Sequence, residues 1–455
     1  MLKGLEVREI ILSEVLSNKD ARIDSQFFTM AQPKNPKLHY RRFGELLVSS
    51  EYGLSNEMNE DGKGYPIYRM NEMHSMLCDL DVAKCADINA SEAREFLLRD
   101  GDLLFNRTNS YELVGRCGVY YGEERGEKVF ASYLVRLNTN KDLLLPECAA
   151  ALLTTRYGVQ EIRRRARQSI NQTNVNPEEV KEIEIPVFEM GFQFRIRDAF
   201  RAAYQCLLKA AEKYKEAEAE LLAEITFANW QPTNDSVSVK KFSETINAGR
   251  IDAEYFQPKF DELMRRLAKR DLRDLGGPGG LVDLYKSIDP PSDFYGDEGV
   301  PFVRISDFSK FGVEAPEVRL PEDVCKDCRR IRKDTILLTK DGSVGIAYKA
   351  EDDFDAVTSG AILHLTLKDG VVDPDYLTLV LNSRIVQMQA ERDAGGSIIQ
   401  HWKPSQVEKV KIPVLPRRLQ SSLADKARES FRLRNESKRL LEEAKRIVED
   451  AIEHA

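Results

Sequence analysis

The sequence predicts an α/β (α+β) protein. It reads as a tandem duplication of one mixed module, each copy followed by a long helix, with the two helices pairing as an antiparallel coiled coil. Three observations carry this prediction. "RIDSQFF" at 22–28 returns as "RIDAEYF" at 250–256, with further matched blocks in one order. The middle of each copy is built of short β-rich runs. Each copy closes on a long segment with an apolar seam at heptad spacing.

The repeat governs the fold, because a duplicated chain reuses one structural unit. After the first pair come "YPIYRMNEM" (65–73) and "VPFVRISDF" (300–308). Then "DGDLLFNRTNSYELVGRCGVYY" (100–121) faces "RKDTILLTKDGSVGIAYK" (332–349), and "SINQTNVNPEEVKEIEIPVF" (169–188) faces "SIIQHWKPSQVEKVKIPVLP" (397–416). The runs "GDLLFNR", "GVYYG" and "VFASYLVRL", and in the second copy "DTILLTK", "GIAYKA" and "AILHLTL", predict strands bounded by Gly, Asp and Asn. One helix is expected after each set, over "LPECAAALLTTRYGVQEIRRRA" and "DPDYLTLVLNSRIVQMQAE". Phe200, Ala203, Leu207, Ala210, Tyr214, Ala217 and Leu221 alternate in steps of three and four. Leu423, Ala427, Phe431, Leu441, Val448 and Ile452 do so less cleanly. A helix of about 30 residues is a rod of about 45 Å that buries little alone, so each needs a partner. The expected limits are a first module over 1–190, its helix over 191–228, a linker and lead-in over 229–249, a second module over 250–416 and a final helix over 417–455.

Composition bounds the function. At 455 residues the chain is long enough for two or more domains. Its opening lacks an apolar h-region and no run approaches the ~20 residues that span a bilayer, so no membrane association is expected and the location expected is cytoplasmic. Seven scattered cysteines, an odd number, suit reduced thiols. The net charge of -8 does not announce a nucleic-acid binder, yet a basic face can sit on an acidic protein.

Catalytic constellations are missing. Asp289-Pro290-Pro291 resembles the Asp-Pro-Pro-aromatic loop of amino-methyltransferases, but Ser292 stands at the aromatic position. No Gly-rich turn for S-adenosylmethionine precedes it. Cys325 and Cys328 form a lone CxxC, short of the four ligands zinc takes. "DGSVGIAYK" lacks the Gly-Lys-Ser/Thr ending of a phosphate loop. The five histidines form no HExxH.

What the copies offer instead is hydrogen-bonding side chains where strands give way to loops. The candidates in copy one are Arg69, Asn71, Asn106, Arg107, Thr108, Asn109 and Arg116. Those in copy two are Arg304, Ser306, Lys340, Ser343, Gln400, His401 and Lys403, with Thr339, Asp341 and Ser397 beside them. Such groups read base edges: Arg pairs with guanine, Asn or Gln with adenine. Arg163, Arg164, Arg165 and Arg167 crowd one stretch against a single Glu, a pattern suited to phosphate contacts or to a solvated helix face. Trp402 suits either a binding loop or the core.

The ordered blocks resemble the target-recognition-domain pattern of specificity subunits of type I restriction–modification systems. That pattern is a Gly-Asp-apolar strand, an Arg-containing loop, a Val-Gly turn, a Gly/Ser-x-x-Gln-like loop, an Ile-Pro strand and a long helix. The second copy departs from it with Lys333-Asp334 for Gly101-Asp102 and Lys340 for the arginine. The resemblance covers essentially the whole chain. It implies a non-catalytic subunit whose two target recognition domains each read half of an asymmetric bipartite site in double-stranded DNA. It implies that the paired helices act as a spacer and that two methyltransferase (modification) subunits dock on them. It also implies restriction/translocase subunits as partners, with S-adenosylmethionine and ATP/Mg carried by the partners and no cofactor in this chain. The alternative is a non-catalytic scaffold built from a duplicated module with a partner-binding rod. Asp24 and Asp252 are expected to be structural.

Overall fold

The two occurrences of Arg-Ile-Asp perform the same local task. In the computed structural model, Asp24 caps the short helix Ser25–Thr29 by accepting a hydrogen bond from the Phe27 N–H (3.1 Å). Arg22 forks onto the same carboxylate (2.8 and 3.1 Å) and donates from its remaining arm to the Arg165 carbonyl (3.1 Å). In the second copy Arg250 forks onto Asp252 (2.7 and 2.7 Å), Asp252 accepts from the Tyr255 N–H (3.2 Å), and Arg250 reaches the Asp393 carbonyl (2.9 Å). The fork holds the Asp252 carboxyl below the usual carboxylate range. Each pair thus clips the start of a module to the C-terminal carbonyls of a helix, where cations are favoured. Both aspartates have a structural role here.

The structure describes residues 8–17, 21–31, 33–122, 126–169, 172–314, 316–368, 370–396 and 399–454. Ser397, with Ile170 and Asn171 of the first matching loop, lies outside them. The chain divides into two units: residues 1–209 with 433–455, and residues 210–432.

The first unit contains strands β1 (Leu47–Tyr52), β2 (Leu103–Asn106), β3 (Cys117–Val119) and β4 (Leu134–Thr139), hydrogen-bonded in the order β1-β4-β2-β3. The second contains β5 (Val282–Lys286), β6 (Ile336–Thr339), β7 (Ala347–Lys349) and β8 (Ile362–Leu367), in the order β5-β8-β6-β7. The orders correspond strand for strand, and every pairing is antiparallel. Smaller pairings repeat too. Tyr65–Tyr68 runs parallel to Val129–Phe130, as Val300–Val303 does to Val357–Thr358. The Ile-Pro strands Glu184–Pro186 and Lys411–Pro413 pair with Tyr40–Arg42 and Leu272–Asp274. The duplication read from scattered residues is therefore a duplication of topology.

The helix expected after each sheet is two helices. In the first unit α1 (Pro146–Thr154) and α2 (Arg156–Arg165) meet at Thr155. In the second α4 (Pro374–Asn382) and α5 (Arg384–Asp393) meet at Ser383; α3 is the long helix Met190–Glu224 and α6 is Arg417–His454. At each break a hydroxyl replaces a helical bond. Thr155 Oγ1 donates to the Leu152 carbonyl (2.6 Å) and accepts from the Gly158 N–H (3.1 Å), while Ser383 Oγ donates to the Val380 carbonyl (2.6 Å). Ser and Thr favour such local bonds over helix interiors, so one hydroxyl ends a helix that periodicity alone would continue.

The long helices keep the predicted seam. In the first unit Phe200 and Ala203 of α3 join Leu441, Ala444, Val448 and Ile452 of α6 in one buried cluster with the sheet. In the second, Tyr214, Ala217 and Leu221 cluster with Leu423 and Ala424. There Lys426 ion-pairs with Glu220 and Ser430 Oγ donates to the Ala210 carbonyl (2.7 Å), so α6 advances as α3 recedes: the pair is antiparallel. The irregularity of the second seam has a cause. Ser430 and Ser437, both buried, fill heptad steps between Leu423 and Ala444. A side-chain-to-backbone bond at Ser430 requires helices that approach closely, which the alanines of α3 permit. Among the described residues no helix is long and apolar enough to cross a membrane.

Candidate nucleic-acid interface

The loop that follows β2 does not stand alone. Thr108 and Asn109 pair as a short strand with Asn174 and Thr173, which in turn pair with Arg167 and Gln168. Val175 N–H donates to the Arg107 carbonyl (2.9 Å), and Thr108 Oγ1 donates to Asn174 Oδ1 (2.6 Å). Two blocks more than sixty residues apart become one polar ledge at the end of the sheet. The second unit repeats the joint. Trp402 N–H donates to the Lys340 carbonyl (2.7 Å), Gly342 N–H to the Gln400 carbonyl (2.9 Å), and His401 Nδ1 lies 2.8 Å from Asp341 Oδ1. Arg107 therefore corresponds to Lys340, Thr108 to Asp341, and Asn174 to His401.

The far end of each loop is shared as well. Gly115 and Gly345, the glycines of the Val-Gly turns, both sit at positive φ (+87° and +89°). Their N–H groups return to the Asn106 and Thr339 carbonyls (2.8 and 2.9 Å). A Cβ on Gly115 would meet Ile162 at 2.5 Å, so both backbone conformation and space require glycine.

On this common frame the side chains differ. In the first unit the Arg107 guanidinium lies over Tyr52 (5.2 Å to the ring centroid) and reaches the Ser132 carbonyl (3.5 Å), with Nε buried and unpartnered. Arg163 lies over Tyr111 of the same loop (5.5 Å). Asn109 is half-buried and accepts from the Ser110 N–H (2.8 Å), Arg116 is half-buried, and Arg167 is exposed and ion-paired with Glu179 (2.9 Å). In the second unit Ser343, Gln400, His401 and Lys403 are exposed.

Several expected contacts are placed elsewhere. Asn106 is fully buried: it roots the loop, its Oδ1 accepting from the Thr108 N–H (3.3 Å), with Nδ2 unpartnered. Thr108 is buried against Asn174. Lys340 is buried and ion-paired with Asp341, so its charge is neutralised. The four arginines are not one exposed patch. Arg164 donates to the Phe27 carbonyl (2.7 Å), pairs with Glu161 (2.9 Å) and stacks on Phe27 (4.5 Å), and burial pulls its pKa down. Arg165 is buried and pairs with Glu161. On a helix of 3.6 residues per turn, the three consecutive cations Arg163 to Arg165 cannot share one face, and Arg167 lies beyond the helix end. Arg69 and Arg304 each lie in a tight turn, their N–H groups and side chains bound to Glu72 and Asp307; Asn71 and Ser306 lie exposed in those turns. Trp402 is core. Asn174 was not singled out from the sequence, although its counterpart His401 was. Among the described residues no group of His, Cys, Asp and Glu could hold a metal.

A sheet module used twice, ending each time in the same loop joint with different polar side chains and joined to paired long helices, defines a duplicated two-module protein. No protein-family model matches the chain. It is 32% identical over 114 residues to the type I restriction enzyme EcoKI specificity subunit of Escherichia coli K12, covering 25% of each chain. It is 26% identical over 148 residues to a chain assigned as the type I restriction enzyme MjaX specificity subunit of Methanocaldococcus jannaschii, covering 32% of this chain and 35% of that one. The matches thus span a quarter to about a third of the length of these relatives. The HsdS subunit from Thermoanaerobacter tengcongensis aligns over 93% of this chain and 98% of its own at 14% identity, with a TM-score of 0.31. The type I S subunit from M. genitalium aligns over 92% and 97% at 14% identity, with a TM-score of 0.38. The chain is related by sequence to the specificity subunits of type I restriction–modification systems.

Proposed function

We propose that the chain is the DNA sequence-specificity subunit of such a system. In this reading it recognises an asymmetric bipartite site, one half per module, and docks the modification and restriction subunits. The observation that carries the reading is the repeated ledge: one backbone joint at 106–109 and 173–175 and again at 339–342 and 400–402, bearing different side chains. A common frame with divergent hydrogen-bonding groups suits two modules that meet equivalent grooves but different bases. Arg107, Asn109 and Arg116 are the groups assigned to base edges in the first unit, with Arg163 and Arg167 positioned for phosphates. In the second unit the groups are Ser343, Gln400 and His401, with Lys403 on the backbone. Recognition is the role of this chain; S-adenosylmethionine and ATP/Mg belong to the partners.

The test is to sequence modified bases in the host, with the chain present and with it deleted while the modification subunit is retained. A modified two-part motif that vanishes with the chain supports the reading. Unchanged methylation, with the modification subunit active, overturns it in favour of a scaffold.

Within the site, Arg107→Ala and Arg116→Ala are expected to relax preference at the first half-site only, by about 1–3 kcal/mol for each good base pairing lost. Arg163→Ala should weaken binding to all sequences alike and lower the salt slope by about one. Both are read from binding of the assembled complex to a panel of half-site variants across salt concentrations. Uniform loss from every substitution would assign the loop to phosphate contact.

A further inference from the structure

The two ledges share a backbone joint but offer opposite hydrogen-bonding chemistry. In the second unit the backbone of His401 is tied on both sides. The His401 N–H donates to the Gly395 carbonyl (2.7 Å), and the Gly395 N–H donates to the His401 carbonyl (3.1 Å). Next in the chain is the buried Trp402, whose N–H donates to the Lys340 carbonyl (2.7 Å). The imidazole on this fixed backbone is 62% exposed, with Nδ1 2.8 Å from Asp341 Oδ1. The other oxygen of Asp341 pairs with Lys340. Among the described residues, His401 Nε2 has no protein partner.

A carboxylate oxygen only accepts, so the proton between Asp341 and His401 belongs to Nδ1. In the neutral imidazole the other nitrogen is then a bare acceptor. Asp341 thus fixes a tautomer as well as an orientation. The first unit does the reverse at the matching step. Thr108 Oγ1 donates to Asn174 Oδ1 (2.6 Å), which leaves the Asn174 Nδ2 amide, a donor, as the group without a partner among the described residues. An exposed His–Asp pair contributes little to stability, so the fold does not require this one. In the major groove guanine and thymine hydrogen-bond only as acceptors, whereas adenine N6 and cytosine N4 are amino donors. An acceptor held on a fixed backbone pairs with an amino group and sets lone pair against lone pair at guanine or thymine. Every base pair carries one such amino group, so the contact selects which strand bears the adenine or cytosine.

We propose that His401 reads an amino-bearing base, adenine or cytosine, in the second half-site through Nε2, with Asp341 as the residue that positions it. This rests on the function proposed above and names the chemistry of one base in that half-site. The test uses the chain assembled with its modification subunits and the bipartite duplex that modified-base sequencing defines. Each adenine and cytosine of the second half-site, on either strand, is replaced in turn by its amino-free analogue: purine for adenine, 2-pyrimidinone for cytosine. Affinity is measured at pH 8.5, above the range in which imidazoles take up protons. At one position the analogue should cost the unsubstituted complex about tenfold, and nothing further in His401→Ala. The analogue's effect on the duplex itself is common to both proteins and cancels in this comparison. A response to purine identifies adenine, and a response to 2-pyrimidinone identifies cytosine. Asp341→Asn should release the tautomer: the new amide donates to Nδ1 and Nε2 carries the proton. Guanine or thymine at that position should then gain about tenfold on the amino-bearing base. Should Asp341→Asn melt early because Lys340 is left unpaired, Lys340→Met combined with Asp341→Asn removes the stranded charge and keeps the readout. Equal weakening of all duplexes by His401→Ala would make the imidazole a phosphate contact and overturn the inference, with the function standing. An amino-group scan in which no position couples to His401 would do the same. A complex without sequence preference at any second half-site would overturn both.

Discussion

Arg136→Met is expected to destabilise the first unit by about 3–5 kcal/mol, the range for breaking a buried ion pair from one side. Arg136 sits on β4, buried, at the centre of a polar knot. Its guanidinium donates to Glu51 (2.9 Å), to Asp102 (3.3 Å), and to the Leu97 and Glu95 carbonyls (2.7 and 3.0 Å). Burial already raises the Asp102 pKa against the pull of the Arg99 N–H and Arg136. Methionine fills similar space but leaves Asp102 buried without its cation and two carbonyls without a donor. Hydrogen exchange should show β2 and β4 losing protection while β6 and β8 of the second unit keep theirs. Adding Asp102→Asn should recover part of the loss, because the penalty lies in the stranded charge. If Arg136→Met alone costs under about 1 kcal/mol, the knot is solvated in solution and the argument fails.

The second unit should lose stability in acid through His364. This residue occupies on β8 the sheet position that Arg136 holds on β4: Arg136 pairs across to Leu104 and Glu51, His364 to Leu337 and Tyr285. Tyr285 stands there where Glu51 stands beside Arg136. The His364 Nε2 lies 2.9 Å from Thr358 Oγ1, and the Tyr285 ring packs edge-on at 5.8 Å. Burial, with a smaller push from Arg329, lowers its pKa from 6.5 to about 4. Between those values the unfolded chain takes up a proton that the folded unit refuses, so stability rises with pH across that window. The contribution is full above about pH 6.5 and is lost as pH falls to about 4, amounting to about 3 kcal/mol. Urea unfolding of the second unit at pH 7 and pH 4.5 should show this slope, and His364→Gln should flatten it. A slope unchanged by His364→Gln would transfer the acid sensitivity to carboxylates elsewhere.

Much of this architecture was legible because it rests on local, periodic or repeated signals. β2 and β6 announce themselves as apolar runs ended by polar residues. The seam of α3 follows from spacing alone, and buried Phe200, Ala203, Ala210, Tyr214, Ala217 and Leu221 are the residues that spacing selects. The site was legible in outline only. Arg107, Asn109 and Gln400 were singled out as candidates because they sit in polar loops beside recognisable elements. Arg164 and Lys340 looked equivalent to them but are held by Glu161 and Asp341. Side-chain type says what a residue can bind, while its free valence depends on which neighbour folding delivers.

The amino-acid sequence by itself determined that one module is used twice, that each use ends in a long amphipathic helix, and which loops carry hydrogen-bonding groups. These follow from composition, period and order, which are properties of a chain before it folds. Only the tertiary structure decided that Thr108 meets Asn174 and Asp341 meets His401, that Thr155 and Ser383 divide helices, and that Ile23 and Ile251 face outward between inward-turned neighbours. Each of these outcomes depends on contacts, or on a choice between helix and side-chain hydrogen bonds, that only the packed molecule resolves. In the loops the partners lie sixty or more residues apart, and no local pattern encodes such a pairing: it is settled when the sheet closes and each buried polar group must find a partner.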